Sequence, residues 1–220
     1  FIKMSGLSKF IVLDRTRFSR LADCFAVALA VSLPWSTSAT GILAGLWFLT
    51  LLPTIDLASL RRFVCTPAGG LPLILAGLGA AGMLWADVSW AERFGGISSY
   101  TKLLALPLLL LQFSRSGRGR QVLIGFVASC LLLLTVSWLL LAWPTMPWPG
   151  HSRFPGVPVK DYIAQSALFT ICIFTIAQHS YDVWRDGRRW FALLLVLLVL
   201  IFLANVFYVA TSRTYLVVIP

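Results

Sequence analysis

Two short polar segments of the chain hold cationic side chains that could bind an anionic substrate. In the first, residues 143–161, five prolines restrict the backbone. Arginine makes fork-shaped, bidentate contacts to phosphate oxygens and lysine acts as a point charge, so the segment is typical of a diphosphate site. A solvated loop that contacts only lipid headgroups is the alternative. The residues that form this candidate site are His151, Arg153 and Lys160, with Tyr162 and Gln165 following directly.

The second segment, residues 210–215, contains Ser212 and Arg213 in a short turn between two apolar runs. A guanidinium held close to the apolar part of a membrane is costly unless it pairs with an anion. Arg213 is therefore predicted to clamp a phosphate. An arginine that merely extends its head to the membrane surface is the alternative.

Long apolar runs surround these segments. The chain of 220 residues is 59% hydrophobic and 12% charged, with a mean hydropathy of +0.87, which excludes soluble, secreted and disordered classes. A membrane-spanning helix needs roughly 20 apolar residues. Seven runs qualify, and an eighth begins near Tyr215: 21–37, 40–56, 70–86, 98–113, 121–143, 162–180 and 190–209.

These runs predict an all-α, polytopic transmembrane helix bundle of seven spans plus the start of an eighth. Residues 1–20 form a basic, cytoplasmic N-terminal segment, and residues 21–220 form a single bundle domain. Tryptophans near the ends of the runs are expected to anchor the membrane interface.

The positive charge follows the predicted topology. Lys and Arg number 18 against eight Asp and Glu, a formal net charge of +10. Thirteen of the 18 fall before the first run or in even-numbered connections, which places the N-terminus in the cytoplasm. The charge therefore needs no nucleic-acid partner. The five cationic residues on the external side are Arg93, Lys102, Arg153, Lys160 and Arg213.

Other reactive residues give weaker patterns. We expect no metal site and no cofactor, because the chain has two histidines and no CxxC spacing. The four cysteines are interpreted as small apolar side chains.

Asp87 and Glu92 are either an acid/base pair for glycosyl transfer or, as we favour, charges on an interfacial helix. Asp56 is predicted to cap a helix or to pair with Arg61 or Arg62.

Three segments together resemble the amino-terminal half of the O-antigen ligase family of bacterial inner-membrane glycosyltransferases. They are SYTKLLALP at 99–107, GVPVKDYIAQS at 156–166 and SRT at 212–214. The resemblance implies transfer of O-antigen polysaccharide from undecaprenyl diphosphate to a lipid A-core sugar at the periplasmic face. The implied partners are this lipid-linked glycan, the lipid A-core acceptor and membrane lipids.

The resemblance also implies residue roles. Arg213 matches the arginine that binds the donor diphosphate, while the family's catalytic histidine is expected beyond Pro220, so no catalytic residue is assigned. We expect the 220 residues alone to be inactive. A polymerase or related ligase that uses the same donor is one alternative function, and a non-catalytic transporter or assembly subunit is another.

Overall fold

The computed structural model describes residues 4–146, 148, 155–159 and 161–209, and the regular secondary structure in these ranges is entirely helical, with no strand. This confirms the predicted all-α class. Two short 3₁₀ turns, Leu52–Thr54 and Lys102–Leu104, accompany the α-helices. The α-helices are α1 (Met4–Ser32), α2 (Thr37–Leu51), α3 (Leu57–Val64), α4 (Pro67–Gly82), α5 (Trp90–Thr101), α6 (Ala105–Ser116), α7 (Gly119–Ala142), α8 (Tyr162–Arg185) and α9 (Arg189–Tyr208).

Capping residues and glycines set several of these boundaries. The Asp161 carboxylate accepts a hydrogen bond from the Ala164 amide at 2.6 Å and so begins α8. Pro67 occupies the first turn of α4, where its missing N–H leaves no bond unmade. Gly117, with φ of 63°, ends α6 in the left-handed conformation that glycine adopts without strain.

Four segments are long and apolar enough to cross a membrane, which indicates a membrane protein. They correspond to the second, fifth, sixth and seventh predicted runs: Thr37–Thr54, Gly119–Ala142, Tyr162–Arg185 and Arg189–Tyr208. Helices α3 and α4 reach that length only as a pair bent by 83°. The structure therefore supports four or five spans, and the predicted number of seven is not confirmed.

Charged residues and breaks in the helices explain why some predicted apolar runs are not spans in the structure. In α1, Arg15, Arg17, Arg20 and Asp23 all fall within the last 18 residues, so the apolar stretch is short. The run at 98–113 is divided among α5, a 3₁₀ turn and α6, and Pro107 lies in the first turn of α6. The eighth run lies outside the described residues.

The chain divides into two compact units. The first unit comprises Phe1–Ala26 and Gly45–Arg120, and the second comprises Val27–Ala44 and Gln121–Pro220. Helix α1 runs unbroken through the predicted boundary at residue 20. One domain over residues 21–220 stays a prediction.

Helices α7, α8 and α9 supply most of the apolar core of the second unit. Phe169 and Phe202 are fully buried and meet edge to face, with ring centroids 5.0 Å apart. Cys130 and Cys172 are buried in the same core, as their interpretation as small apolar side chains requires, whereas Cys24 and Cys65 are exposed and do not fit it. Helices α8 and α9 form a hairpin across Gly187, and the Ser180 hydroxyl donates to the Ala192 carbonyl at 3.0 Å.

Candidate functional site

Most residues of the predicted diphosphate site lie outside the described part of the chain. Tyr162 and Gln165 are described. Tyr162 is the first residue of α8 and is half-buried, whereas Gln165, one turn later, is 1% exposed. The remaining five stay predictions: His151, Arg153, Lys160, Ser212 and Arg213.

Gln165 belongs to a buried polar cluster that joins three helices of the second unit. Its Nε2 donates to the Ser137 hydroxyl of α7 at 3.1 Å and to Asn205 Oδ1 of α9 at 3.0 Å. Asn205 Nδ2 in turn donates to the same hydroxyl at 2.9 Å. All three side chains are buried, so each bond replaces water that the interior excludes.

The cluster also fixes the chain segment that precedes α8. The Ser137 hydroxyl donates to the Gly156 carbonyl at 2.5 Å, and the Trp148 indole donates to the Pro158 carbonyl at 3.1 Å. Val157 is 2% exposed. A loop segment so apolar and so well bonded packs as part of the unit, and residues 155–159 therefore lie against the helices.

Gly156 makes the closest approach between this loop segment and α9. Its φ is 79°, and a Cβ atom added there would lie 2.6 Å from Cγ1 of Val209, the residue that follows the last turn of α9. Only glycine fits both the left-handed backbone and this spacing. The structure thus brings together residues 155–159, the first turn of α8 and the end of α9.

One acceptor of the cluster has no hydrogen-bond partner in the part of the chain described. It is Oε1 of Gln165, which is buried. An unpartnered buried carbonyl oxygen is rare and costs free energy unless another donor reaches it. It can accept a hydrogen bond from a ligand hydroxyl, from water or from a neighbouring chain segment.

Sequence reasoning identified Gln165 but missed Ser137 and Asn205. Both are single polar residues within the last seven positions of long apolar helices. That pattern was the available signal, because polar side chains in membrane helices usually face other helices.

A second buried polar cluster lies in the first unit and was also missed. Gln112 of α6 accepts from the Trp47 indole at 2.6 Å and donates to the Asp23 carboxylate at 2.8 Å. Arg118 approaches the same carboxylate at 3.9 Å. Asp23 is 3% exposed and follows the start of an apolar run, where a carboxylate normally requires such partners.

Of the predicted carboxylate pair Asp87 and Glu92, Glu92 serves local structure. Glu92 accepts from the Ser89 amide at 3.0 Å and hydroxyl at 2.9 Å, while the Ser89 hydroxyl accepts from the Glu92 amide at 3.4 Å. This capping box begins α5. The favoured interpretation, an exposed helix rather than an acid/base pair, agrees with this geometry. Arg93 donates to three nearby carbonyls and lies 4.6 Å from the centre of the Trp90 ring.

Asp56 caps a helix, as predicted, but its cationic partner is different. Its carboxylate accepts from the Ala58 and Ser59 amides at the start of α3, and from the Ser59 hydroxyl at 2.6 Å. The ion pair is with Arg115 of α6 at 3.3 Å, so the predicted pairing with Arg61 or Arg62 is wrong. Arg61 and Arg62 lie in the last turn of α3, away from its amino-terminal cap.

The hydrogen bonds and the ion pair of Asp56 determine the direction in which its pKa shifts. The Ser59 hydroxyl, followed by the two backbone amides and Arg115, holds the pKa of Asp56 below its ordinary value of 3.8. The pKa of Asp56 is lower in the folded protein than in the unfolded chain. The ionised carboxylate therefore stabilises the fold above pH 3.8, and this stabilisation is lost as the pH falls through the folded-state pKa. We expect Ser59→Ala to raise the Asp56 pKa, measured from its carboxyl carbon by NMR. Ser114→Ala, whose hydroxyl bonds only the Leu111 carbonyl, should leave it unchanged, and equal shifts would contradict the assignment.

Metal binding finds no support in the described segments, where no group of three or more His, Cys, Asp and Glu side chains converges. The expectation of a site without metal or cofactor stays a prediction.

The Ser137 cluster predicts a marked loss of stability on mutation. Ser137→Ala removes the acceptor of two side chains and the donor to Gly156, leaving buried groups unpaired. We expect a loss of about 2 kcal/mol in the free energy of unfolding, measured in detergent or bicelles. Thr135→Val on the same helix is the control, because that exposed hydroxyl bonds only the Leu131 carbonyl. A loss no larger than the control's would show that the cluster contributes nothing.

Comparison with known proteins adds no assignment: no family model, no curated protein and no solved structure matches this chain.

Proposed function

We propose that this chain is the N-terminal part of an inner-membrane glycosyltransferase of the O-antigen ligase type. The enzyme transfers O-antigen polysaccharide from undecaprenyl diphosphate to a lipid A-core sugar at the periplasmic face. The N-terminus lies in the cytoplasm, as the distribution of Lys and Arg indicates. A polymerase acting on the same donor is the nearest variant of this function.

The observation that carries the proposal is the packing of residues 155–159 against the ends of α7, α8 and α9. The bond from Ser137 to Gly156 and the close approach of Gly156 to Val209 hold three chain segments together. Two of these segments, residues 155–159 and the end of α9, lie within four residues of a cation of the predicted site. In the sequence, Arg153 precedes Gly156 by three residues, Lys160 follows Val159 directly, and Arg213 follows Val209 by four.

The chemistry follows from those cations. The leaving group in glycosyl transfer is a diphosphate, whose developing negative charge arginine and lysine can stabilise. Arg213 and Arg153 would grip phosphate oxygens bidentately, and Lys160 would add a point charge. Ser212, His151 and Tyr162 are supporting residues in this scheme.

Gln165 has a positioning role in the same scheme. Its Nε2 donates hydrogen bonds to Ser137 and Asn205. Its Oε1 has no hydrogen-bond partner among the described residues and can accept a bond from another donor. By joining α8 to α7 and α9 it would hold the first turn of α8 in register with the end of α9.

Deletion of the gene from the native host tests the proposal. Loss of all polysaccharide-capped lipid A, with the lipid-linked donor accumulating, is the result expected for the ligase. A changed distribution of polysaccharide lengths, with capping retained, would identify the polymerase variant. Unchanged capping and unchanged lengths would overturn both.

A second candidate, a transport or assembly subunit, has one observation in its favour. Asp23 is a buried carboxylate whose partners are Gln112 and Arg118, and α3 and α4 meet at an 83° break. Membrane transporters use buried carboxylates and broken helices for substrate and ion sites. Under this alternative, Asp23→Asn would impair export while purified protein would show no glycan transfer. Transfer activity in the purified, reconstituted protein would reject it.

A further inference from the structure

A cavity in the first unit combines an apolar wall with a polar end. Its volume is about 220 Å³. Leu51 and Leu111, both buried, provide the apolar wall, and the polar lining consists of Thr16, Ser19, Thr54, Gln112 and Arg115. This cavity is separate from the Ser137 cluster, which belongs to the second unit.

Arg115 is held in a fixed orientation beside this cavity. Its Nη1 donates to the Thr54 carbonyl at 2.8 Å and its Nη2 to the Asp56 carboxylate at 3.3 Å. A guanidinium has five N–H groups, so these bonds leave others able to bind an anion. Asp56 is itself fixed by the start of α3 and therefore acts as a positioning residue for the guanidinium.

The depth of the cavity in the membrane follows from α3. This eight-residue helix carries Arg61 and Arg62 beside apolar residues and meets the apolar helix α4 at 83°. A short, strongly amphipathic helix of this kind is typical of the membrane surface. On this basis Asp56, at the start of α3, and its partner Arg115 of α6 would lie at the level of the phospholipid headgroups.

Besides Arg115, which is paired with Asp56, two further cations lie near the cavity along α1. Exposed Arg17 and Arg20 are on the same helix as Thr16 and Ser19 and interleave with them in sequence. Basic pockets between membrane helices bind anionic phospholipids through such combinations of arginine and hydroxyl groups. An apolar wall beside the phosphate site suits the start of an acyl chain.

We propose that this cavity binds the phosphate headgroup of an anionic phospholipid, with Arg115 as the phosphate ligand, Ser19 as a hydroxyl donor, and Leu51 and Leu111 against the glycerol and acyl carbons. The site is independent of the proposed glycan transfer. With the N-terminus in the cytoplasm it faces the inner leaflet.

Native mass spectrometry of the full 220-residue chain tests this site. The purified protein is released from detergent in the presence of equal, titrated amounts of dioleoyl phosphatidylglycerol or dioleoyl phosphatidylcholine. We expect one phosphatidylglycerol to be retained per chain, at least tenfold more tightly than phosphatidylcholine. Equal retention of the two lipids would overturn the proposal.

Two variants and one control assign the binding to the cavity. Arg115→Gln should weaken phosphatidylglycerol binding at least tenfold, since a charge-assisted bond is lost. Ser19→Leu, which fills the cavity without changing charge, should do the same even if Arg115→Gln fails to fold. Arg120→Gln removes an exposed cation that does not line the cavity, and its effect should stay below twofold. If Arg120→Gln matched Arg115→Gln, or if Ser19→Leu bound normally, the cavity would not be the site.

A competition experiment with a soluble phosphate compound distinguishes a lipid ligand from a soluble one. Glycerol 3-phosphate at millimolar concentration should neither bind alone nor displace phosphatidylglycerol, because it lacks the acyl chains that contact the apolar wall. Displacement would identify a soluble phosphate ligand and overturn the lipid assignment.

Discussion

Replacing Arg213 with alanine is expected to abolish glycan transfer in the native protein while leaving its amount in the membrane unchanged. The proposed diphosphate leaving group would lose its bidentate partner, and removal of one such donor typically lowers the rate constant by about 100-fold to 1,000-fold. The measurement is the amount of polysaccharide-capped lipid A in a deletion strain that carries the variant gene.

Two further variants sharpen this test. Arg213→Lys keeps the charge but not the planar fork, so it should restore only a small part of the activity. Arg188→Ala removes an exposed arginine between α8 and α9, at the opposite end of α9, and should transfer glycan normally. If the Arg213→Ala strain produced as much polysaccharide-capped lipid A as the wild type, Arg213 would not bind the donor diphosphate.

Substituting Gly156 with alanine is expected to loosen the loop that covers the end of the second unit. The new methyl group would lie 2.6 Å from Val209 Cγ1, and φ of 79° is unfavourable for any residue with a Cβ. The left-handed backbone alone costs alanine roughly 1–2 kcal/mol. The clash with Val209, a branched and buried side chain, adds to this cost.

Gly187 provides a matched control. It has nearly the same φ, 82°, but nothing lies within 4 Å of its added Cβ. Gly187→Ala should therefore lower the free energy of unfolding by the backbone cost alone, and Gly156→Ala by clearly more. The double variant Gly156→Ala, Val209→Ala should recover part of the difference. Equal losses for the two glycine variants would show that residues 155–159 do not pack against Val209.

The Gly156 and Arg213 results separate structure from chemistry. If the loop positions the proposed cations, Gly156→Ala should reduce glycan transfer as well as stability, whereas Arg213→Ala should reduce transfer alone. Transfer unaffected by Gly156→Ala, despite a measured loss of stability, would show that residues 155–159 do not organise the donor site.

The sequence predicted where α7, α8 and α9 lie because their apolar runs are long enough for hydropathy alone to indicate a helix. It was less successful where charges or prolines interrupt a run. Arg15, Arg17, Arg20 and Asp23 shorten the apolar part of α1, and the run around Pro107 became two helices and a 3₁₀ turn. Counting apolar residues along the chain does not show where a helix ends or bends.

The partners of polar residues were harder to predict than the helices. Asp56 was correctly identified as a cap, since a cap acts on the next three residues of the chain. Its ion pair with Arg115, 59 residues away, depended on how α3 and α6 pack and was predicted wrongly.

Hydropathy and charge along the chain were sufficient to predict the all-helical membrane class, the positions of four candidate spans and the cap at Asp56. These properties depend on chain-local hydrophobicity, charge and hydrogen bonding. Only the tertiary structure decided that Gln165 meets Ser137 and Asn205 across 28 and 40 residues, and that Arg115 lines a cavity with Thr16 and Ser19. Those contacts depend on which face each helix turns toward its neighbours. An almost uniformly apolar helix surface leaves that choice to the packing of the whole unit.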